Sequence, residues 1–267
     1  VNKKLLSLYG LKWSPFAPDV PVEALHVPPR IARFVQVLCV AARAAMGHTA
    51  DVKNLLDDLA GFRPTFVLAV PRVFEKIYHS AEAKAQAGGR GWIFRAASDT
   101  AIAWSRAQDE GGPGLALRAR HALFDRLVYG KLRATLGGQV TAAVSGGAPL
   151  GPRLGHFFRG IGVLILEGWG LTETTAPATV NAPGAIRIGT VGRPLPGVTV
   201  QVPDDGELLV SGVNVMAGYL NTPGATESAL TGGWFHTAGR SATAAPDSSL
   251  PHGLSLQPTS FRRSAAC

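Results

Sequence analysis

Two short segments hold residue types that can handle a phosphate-bearing ligand. The first is Ser145-Gly146-Gly147-Ala148-Pro149-Leu150, and the second is Glu167-Gly168-Trp169-Gly170-Leu171-Thr172-Glu173-Thr174. Glycines let a ligand approach the backbone, where amide N–H and C=O groups read a base or cradle a phosphate. Trp169 offers a flat apolar face for stacking a planar ring. Thr172 offers a hydroxyl to a phosphate oxygen, and Glu173 is a hard oxygen ligand for Mg²⁺. Each feature also has a plainer reading: a turn after a strand, a core indole, a solvated helix start. Their order, and their place at the ends of two predicted strands, favours a site.

The elements that would carry these segments follow from periodicity. Phe34, Val35, Leu38, Ala41, Ala42 and Ala45 fall on one helical face, and a second helix is predicted over Val52–Ala60. Thr65–Val70 is a continuous apolar run of the kind a buried parallel strand shows. Pro71 ends it and opens a helix to about Ala87. Two more helices are predicted, Trp92–Gln108 and Leu115–Leu136. Gln139–Val144 reads as a strand, Arg153–Arg159 as a helix and Val163–Leu166 as a third strand. This alternation predicts an α/β fold with a parallel sheet, and in such sheets ligands sit at the carboxyl ends of the strands. Val198–Val202 and Glu207–Val210 flank the turn Pro203-Asp204-Asp205-Gly206, which reads as a β-hairpin in a β-rich subdomain. The expected division is 1–31 without pattern, 32–190 as the α/β core, 191–237 as the β-rich part and 238–267 as a tail without apolar periodicity.

Composition narrows the class. A 267-residue chain that is 46% hydrophobic can bury a real core. Two cysteines, Cys39 and Cys267, exclude a disulfide scaffold and a Cys-rich zinc site, so a reducing, cytoplasmic setting is expected. No apolar run reaches the roughly 20 residues that span a bilayer. The net charge of +8 suits a polyanion or an acidic membrane surface, but no dense Lys/Arg block concentrates it, so scattered solvated cations are expected and nucleic acid is not. Cys39 reads as a small buried residue, His236 as structural, and Arg72 and Lys76 as a solvated helix face.

Several segments together resemble the AMP-forming acyl-CoA synthetases of the adenylate-forming superfamily, and most closely the long-chain fatty acid type of actinobacteria. They are Pro71–Ile77, Ser145–Leu150, Gly168–Thr174, Gly189–Pro194, Gly206–Val210, Val215–Leu220 and Gly233–Thr237, in family order. The resemblance implies part of the large N-terminal domain of that fold. It also implies a two-step reaction: a fatty carboxylate attacks the α-phosphorus of ATP to give acyl-AMP, and CoA thiol then displaces AMP. Mg²⁺ and well-placed donors would carry the developing charge. By position, Gly147, Ala148 and Pro149 would line the adenine pocket. Glu167, Gly168 and Trp169 would sit beside the base, with the indole where the family usually has Tyr. Thr172 would contact the α-phosphate, Glu173 would hold Mg²⁺, and Gly146 and Gly170 would lie near the acyl group. Fatty acid, ATP and CoA are the implied partners, with peripheral contact to a membrane.

The sequence departs from the family at both ends. Residues 1–31 hold no Ser/Thr/Gly-rich phosphate loop, and His236-Thr237-Ala238-Gly239-Arg240 stands where His-Thr-Gly-Asp is expected. The hinge and the lid with its Lys are not found. The chain alone is therefore expected to lack appreciable turnover, and Ala238–Cys267 is expected to be a frameshifted tail that packs on nothing, with residues 1–31 as another candidate. The competing readings are a ligase for a different carboxylic acid, and a basic, non-catalytic binding protein.

Overall fold

The computed structural model describes residues 43–47, 53–182 and 184–240. The predicted helical face from Phe34 to Ala42, Cys39, residues 1–31 and the tail from Ser241 lie outside them; Arg43–Gly47, at the end of that predicted helix, are not helical. The chain forms two compact units. The first takes the described residues through Ser145 together with Leu150–Ile165, and the second takes Gly146–Pro149 and the described residues from Leu166 onward.

In the first unit, helix α1 (Leu55–Phe62) leads to strand β1 (Phe66–Ala69), and β1 pairs in parallel with β2 (Ala142–Ser145), Phe66 opposite Ala142 and Ala69 opposite Ser145. Between them lie α2 (Pro71–Ala87), α3 (Gly91–Asp109), α4 (Leu115–Phe124) and α5 (Gly130–Thr135). Pro71 stands in the first turn of α2, where its missing N–H costs nothing. Val73, Phe74, Ile77 and Tyr78 then put one face of α2 inward. Helix α6 (Pro152–Gly160) follows β2 and supplies Phe157 and Phe158. The rings meet edge to face: Phe74 lies 5.6 Å from Phe158, and Tyr78 lies 4.8 Å from Phe157 and 5.4 Å from Phe94. Each buried phenyl ring contributes on the order of 2 kcal/mol. Helices α3 and α6 touch at their backbones: a Cβ on Gly160 would stand 2.0 Å from the Ala101 carbonyl oxygen, so only glycine fits.

The predicted single helix over Leu115–Leu136 is broken. Asp125–Tyr129 form a π turn between α4 and α5. Tyr129 is fully buried there and donates its hydroxyl to Ala97 O at 2.7 Å. Arg133 bonds Asp125 at 2.7 Å and Ile161 O at 2.8 Å, bracing the wide turn.

Strand β3 (Leu164–Leu171) begins in the first unit and continues into the second. There it pairs antiparallel with β4 (Ala176–Val180), which pairs antiparallel with β5 (Arg193–Pro194). The pairing is thus parallel in the first unit and antiparallel in the second, a mixed α/β arrangement, and antiparallel pairs begin before the expected boundary at residue 190. A second sheet has the order β6 (Val198–Gln201), β7 (Glu207–Gly212), β9 (Trp234–Arg240), β8 (Leu230–Thr231), with helix α7 (Pro223–Ala229) leading into β8. The expected hairpin is β6–β7, Val200 opposite Val210, closed by Gly206 N–H on Pro203 O.

Strand β9 extends past Thr237, against the expectation that everything from Ala238 packs on nothing. Leu209 faces His236 and Glu207 faces Arg240, so Thr237, Ala238 and Gly239 bulge opposite Leu208 alone. Glu207 Oε1 accepts the Ala238 N–H at 2.9 Å, and Gly239 is buried. Among the described residues no helix is long and apolar enough to cross a membrane.

Candidate functional site

All ten residues expected to line the nucleotide, metal and acyl positions fall in the second unit. Gly147, Ala148 and Pro149 form an exposed loop after β2. A Cβ on Gly146 would stand 3.9 Å from Gly168 O, so the two predicted segments run side by side.

The second segment differs from its sequence reading. Glu167–Leu171 are strand, not loop: Gly168 pairs with Val180, Trp169 with Thr179 and Leu171 with Ala176. The glycine serves close approach here, since a Cβ on Gly168 would lie 3.1 Å from Thr179 O. The ladder shifts register between Trp169 and Gly170, a bulge of the kind that re-aims side chains beside functional sites. Glu167 is buried, and its carbonyl accepts the Asn181 N–H at 2.8 Å.

Trp169 does not present the open stacking face expected of it. Strand alternation turns its side chain inward, where it is 5% exposed among Ala178, Leu208 and Val210. Its Nε1, and Thr179 Oγ1 on the paired residue, are buried with no hydrogen-bond partner among the described residues.

Thr172–Thr174 form one 3-10 turn. Leu171 N–H donates to Thr174 Oγ1 at 2.8 Å, and Thr175 N–H to Thr172 O at 3.1 Å. Thr175 closes the turn at φ 53, a left-handed conformation that is costly for a β-branched residue and collects at functional sites. Thr172 is exposed, its hydroxyl open to an incoming oxygen. Glu173 is half-buried, and its Oε1 accepts the Tyr219 hydroxyl at 3.1 Å.

This donor set suits magnesium. The described residues hold no group of three or more His, Cys, Asp or Glu able to cage an ion. Mg²⁺ needs no such cage, since it commonly takes one or two carboxylates and completes its octahedron with water and substrate phosphate. Glu173 offers one half-buried carboxylate next in sequence to the exposed Thr172, which fits that mode.

Sequence reasoning missed the supports. Asn181 is buried and braces the loop beyond β4, donating to Thr190 O and accepting the Arg187 N–H at 3.0 Å. Asn214 and Tyr219 both bond the 3-10 turn. Tyr219 lies in the family-like segment Val215–Leu220, 46 residues from Glu173 in sequence, so no local signal marks it.

A family profile described as AMP-binding enzyme matches residues 26–220. The chain is 54% identical over 207 residues to the long-chain-fatty-acid–CoA ligase FadD15 of Mycobacterium bovis, covering 78% of this chain and 34% of that protein. It is 32% identical to the long-chain-fatty-acid–CoA ligase 6 of Rattus norvegicus, covering 85% of this chain and 33% of the relative. The chain thus spans about a third of the length of these curated relatives. Among solved structures it is similar to MatB from Rhodopseudomonas palustris, with TM-score 0.59, 22% identity, 95% of this chain and 42% of that one covered. It is also similar to the N-terminal domain of FACL13 from Mycobacterium tuberculosis, with TM-score 0.56, 17% identity, and 88% and 50% covered. At those identities the likeness concerns the fold.

Proposed function

Since the chain belongs to the AMP-binding enzyme family, we propose that it carries the acyl-adenylate-forming core of a long-chain fatty acid–CoA ligase. The carrying observation is the 54% identity to a relative of that name over most of this chain. In this reading a fatty carboxylate oxygen bonds to the α-phosphorus of ATP, pyrophosphate leaves, and the thiol of CoA later displaces AMP from the acyl carbon.

Gly147 and Ala148 offer backbone N–H and C=O groups, and Pro149 a C=O, to the adenine edge. Glu167, Gly168 and Gly170 bring the β3 backbone beside it. Trp169 supports that strand from the core side rather than stacking on the base. The Thr172 hydroxyl donates to an α-phosphate oxygen as charge builds there. Glu173 would hold Mg²⁺, which supplies charge neutralisation on the phosphates when bound. Gly146 and Gly170 leave room for the acyl carbonyl. The reading carries a cytoplasmic setting with peripheral membrane contact, to which a net charge of +8 is suited.

The test is calorimetric titration of the full chain with AMP and with non-hydrolysable sulfamoyl mimics of palmitoyl-AMP and benzoyl-AMP. Saturable binding in the order palmitoyl mimic, benzoyl mimic, AMP is expected. Preference for the benzoyl mimic would move the substrate to another acid. No adenylate binding, with tight binding of DNA instead, would return the chain to a basic binding protein.

A further inference from the structure

The geometry points to Tyr219 as a positioning residue that fixes the Glu173 carboxylate for its ligand, a role that rests on the reading of Glu173 given above. Residues 214–219 form a strap across the 3-10 turn, held by four hydrogen bonds. Asn214 Nδ2 donates to Thr174 O at 3.1 Å, and Thr175 Oγ1 donates to Asn214 O at 2.9 Å. Met216 N–H donates to Glu173 O at 2.7 Å. Two of these three reach backbone carbonyls of the turn, and the third ties the side chain of Thr175, which closes it. Only the fourth, from the Tyr219 hydroxyl to Glu173 Oε1 at 3.1 Å, reaches the carboxylate itself.

The tyrosine is anchored in turn. Its N–H donates to Thr226 Oγ1 at 2.9 Å, which ties it to α7. Gly218 before it adopts φ +155, and a Cβ there would stand 2.7 Å from Thr226 Cγ2, so the approach of strap to helix requires glycine. A phenol on a fixed backbone has two side-chain torsions to settle, whereas a glutamate on an open turn has three. The hydroxyl therefore restricts the carboxylate rotamer through Oε1 and leaves Oε2 to a ligand. Orienting partners of this kind govern metal affinity without touching the metal.

The full chain is tested with Mn²⁺ and AMP as probes, Mn²⁺ binding being read from water-proton relaxation. Tyr219→Phe is expected to weaken Mn²⁺ binding in the presence of AMP on the order of tenfold, with metal-free AMP affinity and Tm unchanged. Glu173→Gln is expected to abolish the metal dependence, and adding Tyr219→Phe to it to change nothing more. Equal loss of AMP affinity with and without metal in Tyr219→Phe marks a merely structural tyrosine and overturns the proposal. Full metal dependence in Glu173→Gln overturns the reading of Glu173 and the proposal with it. A second measurement needs no ligand. In chain labelled with 3-fluorotyrosine, the fluorine resonance lost in Tyr219→Phe must shift in Glu173→Gln. A Tyr219 resonance indifferent to that substitution overturns the proposal whether or not the chain binds AMP.

Discussion

His236 and Glu207 are joined across β7 and β9: the imidazole Nδ1 stands 3.0 Å from Glu207 Oε2. The other oxygen of the same carboxylate accepts the Ala238 N–H at 2.9 Å. One side chain thus holds both the strand and the bulge within it. Glu207→Ala is expected to cost about 1 kcal/mol, because both partners are partly solvated. Urea unfolding measures the loss, and faster amide exchange at Ala238 and Gly239 locates it. Unchanged exchange at those amides would show that the bulge is held by something else.

Gly160→Ala would drive a methyl to 2.0 Å from the Ala101 carbonyl oxygen, where neither helix backbone can yield without parting α3 from α6. The expected loss is about 3 kcal/mol, at the upper end of overpacking. Gly61→Ala is the matched control, since nothing lies within 4 Å of its added Cβ. In α1 it should be neutral or stabilise by up to about 1 kcal/mol. Thermal unfolding of the two variants should move in different directions; similar shifts would contradict the packing described.

His156 makes the first unit sensitive to acid. Burial foremost, then the nearby Arg106, hold its imidazole below the ordinary 6.5, and Ser105 Oγ lies 3.0 Å from its Nδ1. The unfolded chain therefore takes up a proton at His156 more readily than the folded chain does. The stability attached to the neutral ring is intact above pH 6.5 and is lost as pH falls from there toward the depressed folded value. His156→Gln is expected to flatten this dependence. Urea midpoints at about pH 7.5 and about pH 5.5 test it: an equal acid-induced drop in wild type and variant would remove His156 from the account.

At the candidate site, Thr172→Ala should weaken binding of a phosphate-bearing adenylate by roughly tenfold, the cost of one hydrogen bond to a charged group. Adenosine, which has no phosphate, should bind both forms alike. The reverse pattern, with adenosine affected, would place Thr172 beside the base or the ribose instead.

Much of this was legible from the sequence because local signals agreed with the tertiary outcome. Pro71 marks the start of α2, and the Pro203–Gly206 turn marks the β6–β7 hairpin. The glycines of β3 misled. Gly168 and Gly170 carry the signature of a turn, but both lie in strand, and Gly168 lets β4 approach closely, a requirement visible only once β4 is in place. Trp169 looked like a platform because its type allows either use; the pleat that turns it inward depends on strand pairing beyond its neighbours in sequence. Tyr219 stands 46 residues from Glu173, so nothing local ties it to the carboxylate it holds.

The π turn at Asp125–Tyr129 has a consequence for chain length. A π turn spends one more residue per hydrogen bond than an α turn. Removing one residue there would let α4 and α5 fuse into a continuous α-helix while each keeps its present inward face. The first unit therefore holds a one-residue slack at that point, which a seamless helix would not. A deletion inside α3 or α6 has no such reserve, and would rotate every side chain beyond it by about 100°.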